Sequence, residues 1–217
     1  MKLYTLLLAG VFVASPLITQ ANVIADWTFD VSQPTTAGPI APEIGSGSAT
    51  AVGLTSITGT SGNPGTGKSF SGPGWNVGDY WQFQVSTVGF KDITISYDQE
   101  GSATGPRDFI LQYSVNGSTF SAFGGAYSLG STANSWTAHP ADLSSIITLN
   151  NVATVYFRVV DNSTTSINAG TVAATGTDRI DNFIVNGTVV VVPEPSSIAL
   201  ALMGGFSCLV LIHRARR

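Results

Sequence analysis

Asp98 and Glu100 stand two apart on a stretch that reads as a strand, so their carboxyl groups share a face. Glycoside hydrolysis needs two carboxyls about 5–9 Å apart, a separation this spacing meets. Gly101 follows at once, however, and Gln99 and Glu100 read as the strand's exit, where solvated carboxylates are ordinary. His139, beside Pro140, is the one histidine ahead of the C-terminal tail. A Ser-His-Asp triad would need it, yet no Gly-x-Ser-x-Gly elbow frames a serine. No His-Glu-x-x-His and no Cys/His cluster points to zinc. The pattern argues against an enzyme. Asp26 and Asp30 flank the first predicted strand, and Asp178 and Asp181 the last. If those strands are neighbours, the four acids and nearby carbonyls converge on a hard cation, and calcium suits such oxygen ligands. The plainer use of these acids is to cap turns through their own backbone. Trp75, Tyr80 and Trp136 fall at predicted strand ends or loops, where a flat ring stacks on the face of a sugar. Packing in a core is the other fate of such rings.

The elements that must carry these groups are strands. Trp81, Phe83 and Val85 alternate with Tyr80, Gln82 and Gln84. Ile93, Ile95 and Tyr97 alternate with Asp92, Thr94 and Ser96, and Val155, Phe157 and Val159 with Tyr156, Arg158 and Val160. Phe109, Leu111, Tyr113 and Val115 do the same with Asp108, Ile110, Gln112 and Ser114. A period of two puts one face inward and leaves the other wetter. Further strands are predicted at 23–29, 49–57, 68–70, 136–138 and 183–186. Asn116-Gly117 predicts a hairpin turn, since both residues tolerate positive φ. Glycine-rich stretches at 45–47, 59–67 and 101–105 read as loops. Helix signals are almost absent, and about ten strands over residues 22–188 predict one all-β domain, a single jelly-roll-like β-sandwich.

Residues 22–188 hold twelve Asp and Glu against five Lys and Arg, a net charge of −7. That balance excludes nucleic acid and anionic membrane as partners of the domain. The only cysteine, Cys208, lies beyond it, so no disulfide staples the sandwich.

The two ends read differently from the middle. Lys2 is followed by an apolar run and a small-residue exit, Thr19-Gln20-Ala21. This is the pattern of a cleavable export signal, too short and too broken at Pro16 to span a bilayer. The predicted division is a signal helix over 1–21, the domain over 22–188 and a tail over 189–217. In the tail, Val192-Pro193-Glu194-Pro195 is followed by an uncharged stretch and then by Arg214, Arg216 and Arg217. The two prolines keep their segment extended. The apolar stretch predicts a short transmembrane helix, and the arginines stop it on the cytoplasmic side.

That order of parts resembles the PEP-CTERM sorting signal of exported proteins of Gram-negative bacteria that make exopolysaccharide. The resemblance implies passage through the secretion machinery, anchoring by the tail, and processing by an exosortase near the Pro-Glu-Pro. It implies a surface or matrix protein with a structural or adhesive role in exopolysaccharide or biofilm. The segment from Ile93 to Gly117 and the ending from Thr177 to Gly187 resemble sandwich modules of such proteins. Those modules look similar to carbohydrate-binding and lectin-like jelly rolls, so the alternative activity is carbohydrate binding, with calcium assisting. A secreted glycoside hydrolase is the more remote reading.

Overall fold

A computed structural model describes residues 21–31, 33–65 and 67–190. The segments predicted as an export signal, apart from Ala21, and as a sorting tail, apart from residues 189 and 190, lie outside them, Val192 to Pro195 and Arg214, Arg216 and Arg217 included. The described residues form two antiparallel sheets stacked as a sandwich, as the alternation predicts.

The larger sheet has seven strands. Along its main path lie β10 (Thr137–Asp142), β7 (Phe90–Gly101), β12 (Thr177–Val189), β1 (Ala21–Trp27) and the two-residue β2 (Ile44–Gly45). The hairpin of β4 (Thr58–Ser61) and β5 (Lys68–Pro73) joins through β5. β12 is the spine. One edge of it pairs with β7 along almost its whole length. The other edge pairs with β5 from Thr177 to Ile180 and with β1 from Phe183 to Thr188. At the handover the register slips between Asp181 and Ile184, and Asn182 takes a positive φ of 49°. Asparagine is one of the few residues that tolerates that conformation.

The smaller sheet runs β3 (Gly47–Val52), β6 (Tyr80–Val85), β11 (Val155–Asp161), β8 (Asp108–Ser114) and β9 (Ser121–Ser128). Between the sheets, Phe183 stacks on Phe83 at 3.6 Å between centroids. Trp27 meets both rings edge-on. A second aromatic group, Phe29, Phe70, Trp75, Trp81 and Phe109, fills the end of the sandwich where β12 begins. Every inward residue predicted on 81–85 and 93–97 is buried.

Several predicted boundaries shift, among them the strand predicted over 183–186, which runs from Thr177 to Val189. Residues 59–67 are only partly loop, because Thr58–Ser61 pairs with β5 and Thr60 Oγ1 meets Ser69 Oγ at 3.2 Å. The strand predicted over 49–57 ends at Val52. The hairpin turn predicted at Asn116-Gly117 is a longer connection. The Asn116 side-chain oxygen accepts from the N–H groups of Ser118 and Thr119, delaying β9 until Ser121. Pro140 sits within β10, which is tolerable because β10 is an edge strand.

Candidate functional site

The three predicted sugar-stacking rings do not form one platform. Trp75 is 4% exposed, set edge-on against Trp81 and Phe109, with Nε1 donating to the Gly72 carbonyl at 2.8 Å. It is a core residue whose flanking glycines make the sequence look like open loop. Trp136 is half-buried immediately before β10, on the larger sheet. Tyr80 belongs to the other sheet, half-buried on its outward face.

That face carries a continuous polar and aromatic surface. Cross-strand register lines up Thr50, Gln82, Arg158, Gln112 and Ala122 in one row. The neighbouring rows carry Ser48, Gln84 and Tyr156 on one side, and Tyr80 and Val160 on the other. Arg158 organises them. Its guanidinium lies 4.0 Å from the centre of the Tyr80 ring and 3.5 Å from that of Phe120, and Nε donates to Gln82 Oε1 at 2.9 Å. A cation held between two ring faces keeps both rings in place. Phe120 arrives from the β8–β9 connection and meets Tyr156 edge-on at 6.5 Å. The rows thus combine fixed rings, three glutamine amides that both donate and accept, and one guanidinium, with no carboxylate. Such a set suits reversible recognition of a neutral, hydroxyl-rich polymer. Apart from Tyr80, these residues were missed as site residues because they occupy the off-beat positions of the alternation, where a polar side chain reads as merely solvated. Tyr156-x-Arg158 against Tyr80-x-Gln82-x-Gln84 was the available signal.

The predicted calcium set does not assemble. Asp178 and Asp181 are three apart on β12, an odd spacing that sends them to opposite faces. Asp178 points between the sheets, wholly buried, where Trp81 Nε1 donates to it at 2.6 Å and Gln99 Nε2 donates to both its oxygens at 3.1 Å. The chain continues through Tyr127, which donates to Gln99 Oε1, to Tyr97, which donates to Tyr127. Burial pushes Asp178 well above the usual carboxylate range, against the pull of the Trp81 and Gln99 hydrogen bonds. Asp181 faces outward at the handover in β12 and accepts from the N–H groups of Asn63 at 2.7 Å and Asn182 at 2.8 Å. A Cβ placed on Gly62 would come within 2.4 Å of its Oδ2, so glycine lets the 62–67 loop close over the carboxylate. Burial, followed by the charges of Asp30 and Asp98, pushes Asp181 up to about 7. Asp26 is held instead beside Glu43, and burial and that neighbour raise it. Of the four acids only Asp30 and Asp181 come together. Among the described residues no group of three or more His, Cys, Asp or Glu is placed to hold a metal.

The acid pair on β7 does share a face, but both groups are spoken for. Asp98 Oδ2 accepts from Asn63 Nδ2 at 3.0 Å and Asn182 Nδ2 at 2.8 Å. Glu100 is 2% exposed and bound by the Arg179 guanidinium. His139 lies between the rings of Tyr97 and Tyr127, its Nε2 buried without a hydrogen-bond partner. Burial lowers its pKa to about 4, which keeps it neutral at physiological pH.

No protein-family model matches this chain, and no curated protein does. Solved structures with a similar two-sheet layout were found. The CBM22-2 xylan-binding domain of Paenibacillus barcinonensis Xyn10C is 12% identical, with a TM-score of 0.49 over 76% of this chain and 99% of that one. TmCBM61, solved with β-1,4-galactotriose, is 11% identical, with a TM-score of 0.42 over 73% and 92%. The K3 cleaved adhesin domain of Lys-gingipain from Porphyromonas gingivalis is 10% identical, with a TM-score of 0.37 over 55% and 74%.

Proposed function

We propose that this chain is a non-enzymatic glycan-binding domain that holds a polysaccharide along the outward face of its five-stranded sheet. The observation that carries this reading is Arg158, clamped between Tyr80 and Phe120 beside a row of glutamines. Rings fixed in this way offer apolar faces at little conformational cost, and the amides match hydroxyl groups with both donors and acceptors. The absence of carboxylates from the rows, and the engagement of Asp98 and Glu100 elsewhere, support binding without hydrolysis.

The test is affinity electrophoresis in gels containing xylan, β-glucan, galactan or the host's own exopolysaccharide. At least one polymer should retard the protein. Arg158→Ala should weaken that retardation about tenfold or more, since it removes a charged hydrogen-bond donor and frees both rings. Thr94→Ala, on the other sheet, should leave it unchanged. Equal retardation of Arg158→Ala and the parent, or none by any polymer, would sink the proposal.

The proposal extends to delivery. The leader before Asn22 and the Pro-Glu-Pro, apolar stretch and arginines of the tail support export, temporary anchoring and release by an exosortase at the surface or into an exopolysaccharide matrix. Intact-mass measurement of protein from the native host should find both terminal segments gone. A full-length mass would contradict this.

A further inference from the structure

A cleft of about 200 Å³ opens at the end of the sandwich where β12 begins, just past the Tyr80 and Val160 row of the sheet face. One wall is the turn over residues 74–79, in which Gly74 and Gly78 take φ of 90° and 98°. Asn76 N–H donates to Asp79 Oδ2 at 2.7 Å, and Asp79 N–H to the Asn76 carbonyl at 2.9 Å. The opposite wall is the loop over residues 162–172, tied by Val172 N–H to the Thr164 carbonyl and by Arg107 N–H to that of Thr165. The end of β11 joins the walls: Gly78 N–H donates to the Asp161 carbonyl and Asp161 N–H to that of Asp79, both at 2.9 Å. The cleft is therefore built before any ligand arrives.

Its floor is Trp75 and Asp161, and Asp161 is 2% exposed. Ser163 N–H donates to the Asp161 carboxylate at a long 3.3 Å. A carboxylate has about four acceptor positions, so capacity remains toward the cleft. Val77 and Val172 add apolar surface, and Thr164 and Thr171 place hydroxyls at the rim. The cleft has the volume of about seven waters, below the roughly 300 Å³ at which drug-sized sites begin. Its volume is that of a single ring. A buried acceptor, an apolar floor and a hydroxyl rim are complementary to a single sugar ring, whose CH groups pack below while its hydroxyls donate and accept around them.

We infer that this cleft takes one sugar ring of a glycan, with a hydroxyl donating to Asp161 and the CH groups of the ring against Val77 and Val172. The inference rests on the reading of the chain as a glycan binder, but the two sites fail separately. Saturation-transfer NMR of the full chain with millimolar methyl glycosides of glucose, galactose, mannose and xylose provides the test. At least one glycoside should receive saturation. Asp161→Asn should weaken it about tenfold or more through loss of the charged acceptor, and Thr171→Trp, at an exposed rim position, should block it. Thr94→Ala, on the other sheet and outside both surfaces, should leave it unchanged. Binding of no glycoside, or undiminished binding by both cleft variants, would overturn the inference. So would equal loss in Arg158→Ala, which would place the sugar on the sheet face. If Asp161→Asn does not fold, Thr171→Trp decides. Polymer retardation that survives in the cleft variants while glycosides fail would leave the sheet-face reading standing alone.

Discussion

Replacing Phe183 by alanine is expected to cost about 3–5 kcal/mol of stability, the range for removing a fully buried phenylalanine ring. Phe183 is 0% exposed and stacks on Phe83 with 2° between the ring planes. It also touches Trp27, Tyr97 and Phe157, so its ring joins residues from β1, β6, β7 and β11. The cavity would lie between the two sheets, where strands hydrogen-bonded on both sides leave little room to collapse. At about 2–4 °C per kcal/mol for a domain of this size, the melting temperature should fall by about 6–20 °C. Urea denaturation provides the measurement, and a loss under about 1 kcal/mol would show that the stack is not the centre of the core. Phe183→Leu should cost less, because most of the volume remains.

Stability should also fall by about 3 kcal/mol between pH 5 and pH 8, after discounting for solvent screening. Asp181 is pushed up to about 7 by burial and by Asp30 and Asp98. Asp161 reaches about 6 through burial and the charges of Asp79 and Asp108, opposed by backbone hydrogen bonds from Ser163 and Asn162. Asp178 is raised as well, by burial, with Asp161 and Glu100 adding to it. In the unfolded chain these acids lose their protons near pH 4. Above that pH the folded state binds more protons than the unfolded one, so raising pH through the folded values destabilises the protein. His139 works the other way. Its lowered value makes the fold gain stability as pH rises from about 4 to about 6.5, which offsets part of the decline. Melting curves recorded with a chelator at pH 5, 6.5 and 8 should drop by about 6–12 °C overall. Asp181→Asn should flatten the upper half of that decline. A melting temperature that rises steadily to pH 8 would refute the assignment of these carboxyls as proton-binding groups of the fold.

Much of the sandwich was legible because strand alternation is a local signal. Trp81, Phe83, Val85, Ile93, Ile95, Val155, Phe157 and Val159 declare their buried face by spacing alone. β4 and β9 were not legible as they stand, since Thr-Gly-Thr-Ser and a Gly-, Ala- and Ser-rich stretch have little apolar periodicity. They become strands by pairing with β5 and β8. The site was harder than the fold. Tyr80 could be picked out, but its partners Arg158 and Phe120 reach it only through the pairing of β6 with β11 and the return of the β8–β9 connection. Trp75 misled because Gly-Pro-Gly precedes it, yet that turn folds back over the end of the sandwich and buries the indole. The calcium set failed on β12 by parity, since Asp178 and Asp181 are three positions apart and so fall on opposite faces of the strand.

Ala21 pairs with Thr188, so β1 and the end of β12 leave the domain side by side, at the opposite pole from the cleft. Any tether continuing past Val190 would pull along β12, whose flanks are hydrogen-bonded to β7 and β1. Those bonds lie across the direction of force and bear it together, so the domain is loaded in shear and does not peel open bond by bond. A body fastened in this way would resist drag on a ligand held at its far pole.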